Sequence, residues 1–403
     1  MKKKGSVFGG TLLITGSCIG AGMLGLPVLT GIPGFFPSFF MLIISWLFML
    51  TTALLMVEVM GWFKKPVNLI SMVEHTLGPP GKILCWMLYL FLFYALLVAY
   101  MSLSGNHVSL FLLNTFQFPL PNWAGSLFFV IVFGWVIYLG TRPVDYLNRY
   151  LMYGKILSFI LLVVLGIQYI APRLLLHFQP KYALYTLPIL IISFGFHNMI
   201  PVLMKYMDMD RKRVRRSIYI GSFLTFFIYL IWEVVALGIL PYGDLLHSFH
   251  IDVDAAQAIR TYLGSNIIGY SAQSLAFFAI LTSFLAQALS LTNFLSDGFK
   301  IKHQHRENIG MCFLALLPPL AFSTLFPDLF FKALNFAGGI CAVVLFGIFP
   351  ALMAWIGRYQ KKNLLKDRVR GGRPLLILIL FIAATIFFDQ LTNMLQFHLF
   401  PKP

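Results

Sequence analysis

The chain has 403 residues, of which 59% are hydrophobic and 11% charged, against about 25% charged in a soluble domain. That balance excludes a water-soluble enzyme or binding module and marks an integral membrane protein. A net charge of +16 raises nucleic acid as a partner, but the basic residues are sorted by loop rather than gathered on one surface, which argues against it.

A membrane span needs about 20 apolar residues, and eleven runs of suitable length follow one another along the chain. The first, at about 6–30, contains Gly16-Ser17-Cys18-Ile19-Gly20-Ala21-Gly22 and then Pro27. Its basic start resembles a signal peptide, but the run is too long for a signal's apolar region and no small-residue cleavage site follows. Runs at about 34–62, 83–112, 122–141 and 148–170 come next. The sixth, at about 182–204, carries Ser193-Phe194-Gly195-Phe196-His197-Asn198 and then Pro201. Runs at about 217–240, 268–295, 309–326, 329–356 and 374–399 complete the set. Residues 241–267 form the longest external loop, which opens on Pro241 and Gly243 and reads as a loop with a short surface helix. His247 and His250 in this loop lack a third ligand and read as solvated. Cys18, Cys85, Cys312 and Cys341 all fall in spans without metal-type spacing and read as packing residues. No metal site is expected.

Of the 30 lysines and arginines, 25 lie on one side of this topology. Basic clusters on alternate loops place that side in the cytoplasm. The N-terminus is then cytoplasmic and, with an odd number of spans, the C-terminus lies outside. The clusters at 211–216 and 358–373 also suit anionic lipid headgroups of the bilayer.

Spans one to five and six to ten can be laid over each other, with a glycine-broken span opening each set. Five is an odd number, so the second set runs opposite to the first. This is a 5+5 inverted repeat of the LeuT type, with one extra helix. The fold expected is an all-α polytopic membrane protein forming a single transport domain over residues 1–403. Its first repeat covers about 6–170, its second about 182–356, and its extra helix about 374–399.

Enzyme signatures are missing. The sequence has no Gly-x-x-x-x-Gly-Lys-Ser/Thr loop, no His-Glu-x-x-His helix and no Gly-x-Ser-x-Gly elbow. No catalytic residues and no cofactor are expected. Paired interruptions at mid-span instead point to a transporter's substrate site, although glycine is also common in ordinary helix packing. At Gly20-Ala21-Gly22, free backbone N–H groups and a positive helix end suit a carboxylate. Near Ser193, Phe194, Gly195 and Phe196, freed carbonyls suit an ammonium group. A zwitterionic amino acid satisfies both. Phe194 and Phe196, with Phe93, Tyr94 and Tyr100 on the third span, are candidates for an apolar slot. With 41 Phe and 17 Tyr in the chain, aromatic content alone does not set substrate preference.

At these residues the chain resembles the hydroxy/aromatic amino acid permeases of the amino acid/polyamine/organocation superfamily, and among them the bacterial tyrosine and tryptophan permeases. The matching pieces run along nearly the whole chain. They are Gly20-Ala21-Gly22-Met23 with Pro27, Tyr94-Ala95 with Ala99-Tyr100, Lys155, Ser193 to His197 with Pro201, Thr282-Ser283-Phe284-Leu285, Pro318-Pro319, and Gly371 to Pro374. The chain departs from the family pattern at Asn198, at Thr292-Asn293 and at Glu233. The resemblance implies eleven spans, a LeuT-like core, and import of an aromatic amino acid, tyrosine foremost, across the bacterial cytoplasmic (inner) membrane by proton symport. Another neutral amino acid, or sodium coupling, is the alternative.

The resemblance further implies that Lys155 stands where sodium-coupled relatives hold an ion between spans one and eight. Its ammonium would replace the cation and the proton gradient would supply the driving force. Snorkelling to the inner interface is the simpler reading of the same residue. Glu233, Asp389 and Glu58 are rival proton carriers, since a carboxylate inside a span calls for an explanation. Glu58, near the cytoplasmic end, is expected to pair with Lys64 or Lys65. His197 is read first as a hydrogen-bonding pocket residue and second as a titrating group. Ser283 joins the substrate-binding set, and Lys155 and Glu233 form the ion-coupling set.

Overall fold

The computed structural model describes residues 5–264, 267–299, 307–326, 328–361 and 368–395. Lys2 to Lys4, the basic residues of 300–306, Lys362, Lys366 and the end of the expected last span lie outside them, as does the C-terminus. Every regular element described is helical. Among the described residues eight helices are long and apolar enough to cross a membrane, against the eleven expected, and α1 (Val7–Cys18) with α2 (Ala21–Thr30), bent by 57° at their break, makes nine if the pair is one span.

The candidate spans α3 (Phe35–Met60), α4 (Leu69–Phe116) and α6 (Thr141–Gly166) follow, with α5 (Asn122–Tyr138), an apolar helix shorter than these, between α4 and α6. α4 begins well before the expected third span. Its first turns are a separate segment, joined at Gly78, which takes φ +77°, and Pro79-Pro80 start the membrane helix with their rings on the open first turn. The sixth crossing is assembled from a 3₁₀ segment at Pro180–Thr186, α7 (Leu187–Ser193), a second 3₁₀ turn at Phe196–Met199 and α8 (Ile200–Tyr206).

α9 (Arg211–Ile239) lies along both halves of the broken first span. Ser217, Gly221 and Thr225 recur every fourth residue, so their small side chains share one face and let α1 approach closely. A Cβ on Gly221 would stand 2.8 Å from Ile14 Cβ. Ser217 Oγ donates to the Val7 carbonyl at 3.1 Å, Thr15 Oγ1 donates to the Gly221 carbonyl at 3.1 Å, and Trp232 Nε1 donates to the Met23 carbonyl at 2.8 Å.

The segment after α9 holds two helices rather than the one short helix expected, α10 (Tyr242–His250) and α11 (Ala255–Leu263). Asp254 caps α11 through the N–H groups of Ala256 and Gln257, and its other oxygen meets His107 of α4 at 2.7 Å. Asp252 accepts the N–H groups of Phe330 and Phe331, which open α14 (Phe330–Phe336). α12 (Ile267–Gly298), α13 (Glu307–Leu325), the α14-to-α15 crossing through Phe349–Trp355, and α16 (Gly372–Leu395) complete the described elements. The α14 crossing includes wide π-helical turns at Ala337–Ile348 and Ile356–Gln360.

Glu58 does not pair with Lys64 or Lys65. Its carboxylate takes a two-pronged ion pair from Arg358, Nε to Oε1 at 2.7 Å and Nη2 to Oε2 at 2.6 Å. The Val369 N–H donates to the same Oε2 at 2.7 Å. The fork geometry of a guanidinium satisfies both carboxylate oxygens in a buried setting, where a single ammonium would leave one bare. The four cysteines are buried and free of disulfides.

Candidate substrate site at the two helix breaks

Cys18 ends α1, Ile19 leaves the helical conformation, Gly20 is extended, and Ala21 restarts the helix. The break exposes carbonyls from α1 and N–H groups from α2, and other helices reach in to meet them. Ser283 Oγ on α12 accepts the Ala21 N–H at 3.1 Å. Lys155 Nζ on α6 donates to the Ile19 carbonyl at 2.5 Å and to Thr282 Oγ1 at 3.3 Å. Gly20 is needed for this approach, since a Cβ there would lie 2.5 Å from Ser283 Oγ.

In the sixth crossing α7 stops at Ser193 and the chain closes on itself. Gly195 N–H bonds the Ile192 carbonyl at 3.0 Å and Phe196 N–H bonds the Phe194 carbonyl at 2.9 Å. Tyr229 of α9 joins the two breaks. Its hydroxyl lies 2.7 Å from the Cys18 carbonyl and 2.7 Å from the Ser193 carbonyl, the C-terminal ends of α1 and α7. A phenol carries one proton, so it serves one carbonyl at a time. Ser193 Oγ is buried without a partner and faces Gly22, where a Cβ would stand 3.1 Å away.

Both breaks line one cavity of about 290 Å³. Gly20, Gly22, Ser193, Gly195, Ser283 and Lys155 all border it. From the breaks it extends past Leu12, Leu13 and Met152 to Asn148, Gln287 and Ser290. Those residues occupy the ends of α1, α6 and α12 that adjoin the basic loops, so the cavity reaches toward that side of the molecule. The opposite side is covered by α2 with α10 and α11.

The aromatic wall differs from the expected one. Leu92, Leu96 and Tyr100 of α4 line the cavity together with Phe346. Spaced by four, they share a helix face; Tyr94, two residues from Leu96, points about 200° away from it. Its hydroxyl donates to the Leu314 carbonyl of α13 at 2.8 Å. Phe93 packs at 5.7 Å from the Phe294 ring. Phe194 is fully buried against Tyr229. Phe196 stacks on His197, whose ring lies 4.9 Å from Phe346 and whose Nε2 is 3.0 Å from Thr52 Oγ1. Phe194, Phe196 and His197 therefore support the break from behind. Ala21 touches the site through its backbone N–H alone.

Glu233 stands apart from the cavity. Its Oε2 is 2.6 Å from Thr30 Oγ1 at the end of α2, and its Oε1 is buried without a partner. Asp389 accepts from Asn393 Nδ2 at 3.0 Å on its own helix. Among the described residues no group of three or more His, Cys, Asp or Glu side chains is placed to hold a metal.

Asn198, Gln287, Ser290 and Tyr229 are the site residues that sequence reasoning missed. Ser283, Gln287 and Ser290 at i, i+4 and i+7 form a polar stripe along one face of α12, which was a readable signal.

The tryptophan/tyrosine permease family matches the chain over residues 3–389. The chain belongs to that family. It is thus a multi-pass membrane permease and not an enzyme. It is 30% identical over 389 residues to the tyrosine-specific transport system 2 of Haemophilus influenzae, with 95% of each chain covered. It is 29% identical to the tryptophan-specific transport protein of the same organism, with 92% of each covered. The crystal structure of MhsT in complex with L-phenylalanine superposes with a TM-score of 0.65, covering 97% of this permease and 99% of MhsT at 15% identity. At that identity the likeness is one of fold.

Proposed function

We propose that this permease imports an aromatic amino acid, tyrosine foremost, across the bacterial cytoplasmic membrane by proton symport. The observation that carries the reading is the convergence of two mid-span helix breaks on one cavity bordered by Lys155. The start of α2 offers N–H groups and the positive end of a helix dipole to a carboxylate. The irregular backbone from Ser193 to Asn198, with the free Ser193 hydroxyl, suits the ammonium group. Leu92, Leu96, Tyr100 and Phe346 suit a ring. The relatives specific for tyrosine and for tryptophan agree with this cargo.

Eleven crossings in a 5+5 inverted repeat plus one helix complete the reading, with the N-terminus in the cytoplasm and the C-terminus outside. Lys155 is the leading coupling group. Its ammonium ties α6 to the α1 break and to α12, and loss of its proton weakens those charge-assisted bonds. Glu233 is the second, joining α9 to the outer end of α2 through Thr30. A fixed ammonium on Lys155 already occupies the Ile19 carbonyl, and the Tyr229 hydroxyl takes either the Cys18 or the Ser193 carbonyl, which favours protons over sodium as the coupling ion.

The test is uptake of labelled tyrosine, tryptophan, phenylalanine and leucine into proteoliposomes with an acid exterior. Aromatic amino acids should accumulate without sodium, and a protonophore should abolish the accumulation. No uptake of any aromatic amino acid would overturn the proposal; a strict need for sodium would overturn the proton.

A further inference from the structure

Resting on that reading, we infer that Asn198 reads the substrate's ring substituent: its amide NH₂ donates to a ring hydroxyl oxygen, so that the cavity takes tyrosine in preference to phenylalanine and tryptophan. Asn198 lies in the 3₁₀ turn just past the second break and lines the cavity. Its Oδ1 accepts the hydroxyl of Tyr89 at 2.8 Å. That bond orients the amide, and the group left to face a ligand is the pair of N–H donors.

Tyr89 is well placed to hold the amide still. It is buried, with its ring stacked on Phe93 at 6.0 Å and edge-on to Phe346 at 6.4 Å. The surrounding wall is apolar, made by Leu92, Leu96 and Phe346. A ring lying along that wall from the breaks meets Asn198 as a polar group on an oily surface. The tyrosine hydroxyl oxygen can accept from it. Phenylalanine leaves the donors bare, and burying an unmet polar group is costly. An indole N–H is a donor only and opposes another donor.

A site built to bond a substrate hydroxyl discriminates strongly against the analogue that lacks it. A preference for tyrosine over phenylalanine of about tenfold or more in uptake efficiency is expected. In Asn198→Leu, which keeps the branched shape and removes both donors, the two efficiencies should fall within about twofold of each other. Asn198→Ala provides the same test if the leucine variant does not fold. Tyr89→Phe, which frees the amide to rotate without touching the cavity, should lower the preference about threefold and leave phenylalanine unchanged. A tyrosine-to-phenylalanine ratio that stays at the parental value in Asn198→Leu and Asn198→Ala overturns this inference alone, as does equal loss of both substrates. A parent protein that moves neither overturns the proposed function and this inference with it.

Discussion

The two helix breaks solve the same problem in different ways. At the first, the exposed backbone groups are met by side chains from three other helices: Ser283 from α12, Lys155 from α6 and Tyr229 from α9. At the second, the chain folds back on itself through one 3₁₀-type and one γ-turn bond, and the Ser193 carbonyl is met from elsewhere by Tyr229. The first break therefore depends on where its neighbours stand. The second carries most of its geometry in its own residues and keeps the Ser193 hydroxyl uncommitted. A break held by distant helices is the one through which a change on α6 or α12 can reach α1.

The largest test of that contrast is Lys155→Ala. It removes the cation from the first break and should abolish gradient-driven accumulation of tyrosine while counterflow exchange persists, measured in proteoliposomes. Accumulation at the parental level in a folded variant would refute a coupling role. Tyr229→Phe comes next. It strips a donor from both breaks, keeps the ring against Phe194, and should cost about 1–3 kcal/mol of stability, read as a lower midpoint of thermal unfolding in detergent. Ser283→Ala removes the acceptor for the Ala21 N–H and should lower stability by about 1 kcal/mol. Ser193→Ala sharpens the comparison from the other side. Its hydroxyl has no partner among the described residues, so the midpoint without substrate should stay within measurement error. Apparent affinity for tyrosine should nonetheless fall about fivefold, because the hydroxyl is kept for the ligand. An equal loss of stability in Ser193→Ala and Ser283→Ala would erase the distinction between the breaks.

Much of this was legible in the residues. Gly16 to Gly22 and Ser193 to Asn198 are interruptions at mid-span, and backbone cannot unwind in hydrocarbon unless protein or a wet cavity receives it. Sequence reasoning therefore found the breaks. It did not find what Tyr94 faces, because one apolar helix bears rings all round and no polar stripe marks the side turned inward. Glu58 looked to the nearest lysines, whereas its partner Arg358 is brought from 300 residues away. Nor is the phenol that bridges Cys18 and Ser193 visible in any local pattern, since its two acceptors are backbone groups that no side chain identifies.

By itself the sequence determined the medium, the helical class and the two places where helices fail. Those follow from composition, from the length of apolar runs and from glycine, all of which act within a few turns of chain. Tertiary structure alone decided which groups meet at the failures: Lys155 on Ile19, Tyr229 across both ends, and Asn198 rather than His197 at the cavity wall. Hydrogen bonds and ring contacts act over a few ångströms, so their partners are settled only when helices distant in the chain pack side by side.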